Sequence, residues 1–237
     1  MAKAIGLSRT IKTRWLNKAA DLYGENLSED QYKAAMNEYL AFEIESPTVL
    51  RKTREILMRV WFYDDDAALS VYRSEGYLLM QRYPDYDVPI HWCLLLMAYP
   101  VFADLSKLMG RIAEFNDVIV LKQLKQKLYD EWGERSTLYH STDKIIATMK
   151  DLGAIVAEKP GIYHIGNQEI KNENIASFQL RSAMKVDGGS YYSFSELNTF
   201  NTLFPFKYTI SKECLMDQEC FAIITFGGEL SVTLKND

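Results

Sequence analysis

The chain has 237 residues, room for one large domain or two to three small ones, and its 48% hydrophobic and 13% aromatic content excludes disorder and supplies real cores. Lysine and arginine total 27 against 32 aspartate and glutamate, a net charge of −5, which excludes a generic basic nucleic-acid coat. Any nucleic-acid surface has to be local.

The charge is uneven along the chain. Lys3, Arg9, Lys12, Arg14 and Lys18 occur without an acid among the first 18 residues, whereas the stretch from Glu213 to Asp237 is acid-rich. The basic end is a candidate phosphate footprint. Ile11, Trp15, Ala19 and Leu22 fall on one helical stripe that Gly24 ends. Ser28, with Gln31 three residues on, is a capping box for a helix to about Phe42. Ser46 before Pro47 opens a third helix with Val49, Thr53, Ile56, Leu57, Val60 and Trp61 on its inner side. Asp64-Asp65-Asp66 reads as the start of the next helix rather than as a metal site. Tyr83 to Asp87 is a loop, Trp92 to Ala98 an apolar helix, Pro100 a break, and a further helix runs through Phe115. Asn116 is expected to cap another, to about Glu131, with Lys122, Lys125 and Lys127 on its wet side.

Leu138, Thr142, Ile145, Met149 and Leu152 recur at four- and three-residue steps and form one helical stripe. Gly153 stops that helix. Ala154 to Ala157 then switch to strand-forming types, Lys159-Pro160-Gly161 turns the chain, and Ile162 to Ile165 return antiparallel. A helix feeding a tight hairpin is the signature of a winged helix, although interaction domains without nucleic acid use it too. The helix's outward face carries Ser136, His140, Asp143, Lys144, Ala147 and Asp151. Its two aspartates oppose phosphate contact; Lys144, with Arg135 and Lys150 at the margins, favours it.

Asn167 to Glu173 reads as a linker, Ile175 to Lys185 as a helix with Ile175, Phe178 and Ala183 inward, and Gly188-Gly189 as its end. Ser193 to Asn201 is a short helix and Phe206 to Ile210 a strand. Phe221–Phe226 and Leu230–Leu234 are two strands joined through Gly227-Gly228. The order suits a second winged helix or another small α+β module.

No catalytic constellation emerges. Neither Gly-x-x-x-x-Gly-Lys nor Gly-x-Gly-x-x-Gly occurs, so nucleotide hydrolysis lacks its phosphate cradle. His91, His140 and His164 have no second ligand at metal spacing. Pro84-Asp85 with Glu169-Ile170-Lys171 is too weak for a nuclease, and nothing joins His164 to Cys214 or Cys220 as a nucleophilic pair. Cys93, Cys214 and Cys220, an odd number without paired spacing, suit a reducing compartment. With no leader at Met1 to Gly6, and an apolar stretch from Trp92 to Ala103 too short to span a bilayer, a cytoplasmic, non-membrane protein is expected.

Leu128-Tyr129-Asp130-Glu131-Trp132-Gly133-Glu134-Arg135, the helix end Lys150-Asp151-Leu152-Gly153, Leu203-Phe204-Pro205-Phe206 and the closing strand pair resemble the BrxA family of BREX bacteriophage-defence systems over most of the chain. The resemblance implies a small, mainly helical, cytoplasmic component that binds double-stranded DNA beside a methyltransferase and an ATPase, without catalytic residues of its own. The fold class expected is mainly α with small β-hairpins: a helical domain over 1–115, a winged-helix-like module over 116–166 and a second small α+β module, possible kin of the first, over 167–237. The expected function is a DNA-binding accessory protein with neither cofactor nor catalysis. Its phosphate contacts are Lys3, Arg9, Lys12 and Arg14 at the basic end, Arg135, His140, Lys144 and Lys150 on the helix, and Lys159 at the wing tip. The alternative is a protein-interaction scaffold that never meets nucleic acid.

Overall fold

The computed structural model describes residues 6–226 and 229–235, so Lys3 and the Gly227-Gly228 turn lie outside the described residues. The chain is mainly helical. Helix α1 (Thr13–Gly24) is followed by α2 (Glu29–Ala41), where Ser28 and Gln31 form the expected capping box. Helix α3 (Pro47–Trp61) starts with Pro47 at its first turn and the Ser46 hydroxyl on the Val49 amide. The aspartate run divides its labour: Asp66 caps α4 (Ala67–Arg82), and Asp64 meets the fully buried Arg73, whose guanidinium also donates to the Val60 and Tyr63 carbonyls at 2.9 Å.

Helix α5 (Asp87–Ala98) is apolar on every side and sits at the centre of the larger core. It turns through 118° at Tyr99 into α6 (Pro100–Ala113); no single helix is long and apolar enough to cross a membrane among the described residues. One buried polar chain crosses this core. The Trp61 indole donates to His91 Nδ1 at 3.1 Å, which leaves His91 Nε2–H to donate to Asn17 Oδ1 at 2.6 Å, and Asn17 Nδ2 donates to Asp87 at 2.8 Å. Burial pushes the His91 imidazole down to about 4.

After α6 the expectation of a helix capped by Asn116 is corrected. Asn116 instead closes α6, its amide donating to the Ile112 carbonyl at 3.0 Å, and the β-branched trio that follows forms strand β1 (Val118–Val120) before α7 (Leu121–Trp132) begins. Helix α8 (Ser136–Asp151) ends at Gly153, which takes φ +72°, as expected. Strands β2 (Ile155–Lys159) and β3 (Ile162–Ile165) form the hairpin across Pro160-Gly161, and β1 pairs on the far side of β3, giving the sheet order β1-β3-β2.

The segment read as a linker contains strand β4 (Gln168–Ile170), which pairs in parallel with β6 (Phe206–Tyr208); a partner so far along the chain leaves no local signal. Asn172 then caps α9 (Glu173–Asp187), which ends on left-handed Gly188. Strand β5 (Tyr192–Ser193) leads through a second capping box, Ser193 with Glu196, into α10 (Phe194–Leu197), shorter than expected, and a 3-10 turn at Asn201–Leu203. That turn lies on α6 at Gly110, where an added Cβ would come within 2.2 Å of the Asn201 carbonyl, and Ser106 donates to the Thr202 carbonyl at 2.7 Å. Helix α11 (Lys212–Asp217) and strands β7 (Phe221–Phe226) and β8 (Glu229–Leu234) complete the chain, with sheet order β5-β8-β7.

The same order of elements therefore occurs twice: helix, strand, helix, helix, hairpin, with the first strand on the outer side of the last. It runs α6-β1-α7-α8-β2-β3, then α9-β5-α10-α11-β7-β8, the second time with the 3-10 turn and β6 inserted between α10 and α11. One apolar core runs from Leu7 to Phe206, continuous across residues 115 and 116; a smaller one gathers Leu180, Met184, Leu197, Leu215 and Val232. Helix α9 feeds both, through Ile175 and Phe178 on one side and Leu180 and Met184 on the other.

Candidate nucleic-acid interface

Helix α8 buries Leu138, Thr142, Ile145 and Met149, so the periodicity sends His140, Lys144, Lys150 and Asp151 to the exposed side, with Asp143 half-exposed. Neither aspartate on that side stands free. The Lys125 ammonium of α7 is 2.6 Å from Asp143 Oδ1 and 3.7 Å from the centroid of the Tyr139 ring, which sandwiches a cation between a carboxylate and an aromatic face. Asp151 turns toward the N-terminal segment, where its Oδ2 accepts the Thr13 amide at 2.6 Å. Lys125 was expected on the wet side of α7; these two partners instead hold it buried.

What remains on the face is two lysines against the carboxylate of Asp151. Lys144 and Lys150 are exposed and have no ion-pair partner among the described residues; His140 is exposed with its ring edge-on to Tyr139. At the start of the helix, Arg135 reaches the Trp132 carbonyl at 3.5 Å. At the hairpin, Lys159 lies 3.7 Å from Glu158, which His164 also meets at 3.0 Å. Between the start of α7 and the hairpin turn lies a cavity of about 460 Å³ lined by Lys122, Lys125, Tyr129, Tyr139 and Pro160.

The basic N-terminal run is arranged differently. Lys12 and Arg14 both converge on Glu43, with Lys12 Nζ at 2.5 Å, and the Trp15 indole donates to the same carboxylate at 3.0 Å. Arg14 first, then Lys12, hold that carboxyl down to about 2. Arg9 is half-buried and donates to the Ser8 carbonyl at 2.9 Å. The structure thus joins His140, Lys144 and Lys150 on one face and sets Lys12 and Arg14 apart, around a carboxylate of their own.

Sequence reasoning passed over the Lys125–Asp143–Tyr139 cluster and the basic face of α3. The first has no local signal, since Lys125 and Asp143 sit on different helices; the second was legible as Lys52 and Arg59 seven residues apart on an exposed stripe. Cys93 is buried, its thiol pushed up to about 12, and among the described residues no three His, Cys, Asp or Glu side chains gather as a metal site. No protein-family model, curated protein or solved structure matches this chain.

Proposed function

We propose that the chain is a double-stranded-DNA-binding accessory protein without catalysis, and that the unit α6-β1-α7-α8-β2-β3 is a winged helix that lays α8 against the duplex. The order β1-β3-β2, with two helices between the first and second strands, supports the winged-helix reading. The second unit, β5-β8-β7, is proposed as a reduced copy whose α11 of only six residues is too short to read a groove.

One observation carries the DNA reading: on the outward face of α8 Asp143 is paired with Lys125 and Asp151 is turned toward the Thr13 amide, so two lysines without an ion-pair partner among the described residues, Lys144 and Lys150, stand against one carboxylate. A face of lysines without arginine or paired amides favours phosphate contact over base readout. The sequence resemblance to the BrxA family supports the further proposal that this activity works beside a methyltransferase and an ATPase in phage defence, in the cytoplasm.

The test is a gel-shift and salt titration on duplexes of unrelated sequence. Wild-type protein is expected to bind with little sequence preference, and Lys144→Ala with Lys150→Ala to flatten the log-log salt slope by about 2 units, at about 0.9 per phosphate contact. No binding at low salt to any duplex removes the reading and leaves the scaffold, for which Tyr139, 48% exposed, and Val156, 60% exposed, are the apolar contacts.

A further inference from the structure

Helix α3 carries Arg51, Lys52, Arg54 and Arg59 against one acid, Glu55. Glu55 is matched within the protein: Arg54 and the Tyr63 hydroxyl both donate to it. That leaves Arg51 and Lys52 exposed, with no ion-pair partner among the described residues, and Arg59 half-exposed, 4.0 Å from Asp65 and 3.4 Å from the Ala98 carbonyl. The three line a cavity of about 730 Å³ together with Tyr63, Tyr99 and the Arg54-paired Glu55. At 1.5 Å per residue the eight steps from Arg51 to Arg59 span about 12 Å, the axial distance covered by about three to four phosphates of one strand. Past Arg51 the next concavity has mixed charge, with Glu38 and Glu45 facing Arg51 and Arg54.

This cavity connects to α8. Gly6 and Ser8 line its wall, and a few residues on, Ile11 donates its amide to Thr148 Oγ1 at 2.9 Å and Thr13 donates to Asp151, both on the C-terminal half of α8. The segment 6–12 therefore runs, over at most about 20 Å, from the α3 cations to the turn of α8 that carries Lys150, with half-buried Arg9 on the way.

The geometry points to a second phosphate-binding surface on α3, formed by Arg51, Lys52 and Arg59, that continues the α8 face so that one duplex runs across both. It rests on the proposed DNA binding. Its occupant is the sugar-phosphate backbone, because the cations lie along one exposed side of a helix and around an open concavity, a spacing that follows successive phosphates.

The experiment is a salt titration of binding to a duplex of about 30 base pairs, long enough to cross both surfaces. Arg51→Ala, Lys52→Ala and Arg59→Ala together are expected to lower the slope by about 2 to 3 units, and combination with the Lys144/Lys150 variant to lower it by the sum. The charge-preserving set Arg51→Lys, Lys52→Arg and Arg59→Lys retains the slope, and an unchanged thermal transition verifies the fold. If the α3 variant keeps wild-type affinity and slope while the α8 variant loses both, the second surface does not exist and the proposed function stands. If only the α3 variant loses binding, the α3 site stands and the α8 reading falls. If the wild-type protein binds no duplex, both fall.

Discussion

Asp151 of α8 caps α1: its Oδ2 accepts the Thr13 amide at 2.6 Å, while the Thr13 hydroxyl lies 3.0 Å from the same oxygen and 3.1 Å from the Asp151 carbonyl. Lys12, the residue before α1, supplies no side-chain cap, so a carboxylate 138 residues away does the work of an N-cap at the positive end of the helix. The same contact turns the carboxylate toward α1 without neutralising it, so one negative charge stays at the edge of the face proposed to meet phosphate. Asp151→Ala is expected to destabilise the protein by about 1 to 2 kcal/mol in urea unfolding while leaving DNA affinity equal or higher. A loss of affinity at unchanged stability contradicts this role.

Gly153 is held at φ +72°, and a Cβ there would sit 3.1 Å from Gln168 Nε2, which itself donates to the Leu152 carbonyl at 2.9 Å. Gly153→Val combines a branched side chain in a left-handed conformation with displacement of that amide, so a loss of about 2 kcal/mol is expected. Lys159→Glu, at the exposed turn, leaves the transition in place and lowers DNA affinity. Equal stability of Gly153→Val and wild type in a urea titration removes the argument.

Lys12 and Arg14 are already matched by Glu43. Replacing both with alanine is therefore expected to flatten the salt slope of DNA binding by less than about 1 unit, well below the value of about 2 for two free cations. A drop of the full 2 units shows that the duplex competes successfully for both cations.

These outcomes bear on what was legible beforehand. The capping box at Ser28, the proline start of α3 and the glycine stops at Gly153 and Gly188 are local chemistry, and reading them placed most of the helices; the Ser193 box and α11 went unread. Strands β1 and β4 escaped because three residues carry no period, and their partners, Ile162–Ile165 and Phe206–Tyr208, lie far along the chain. At the candidate site the exposed face of α8 followed from the 3.6-residue period. Its charge did not: Lys125, Asp143 and Asp151 read as a mixed surface until tertiary packing pairs them, and Lys12 with Arg14 read as free until Glu43 arrives from beyond α2.

His91 gives the fold a pH dependence of predictable sign. Burial pushes its folded-state imidazole down to about 4 from an ordinary value of 6.5, with the Asp87 carboxylate opposing the shift. Between these values the unfolded chain binds a proton that the folded chain refuses, so the stabilisation is present in full above pH 6.5 and is lost as pH falls toward 4. The difference between those two values corresponds to about 3 kcal/mol. Glu43, held down to about 2, adds a loss in the same direction, but only below its ordinary 4.5. Urea unfolding from pH 7.5 to 5 therefore isolates the histidine. Wild type is expected to lose stability across that interval, and His91→Gln, which keeps an acceptor for Trp61 and a donor for Asn17 but cannot titrate, to start lower and fall less. Parallel curves for the two proteins rule out His91 as the source.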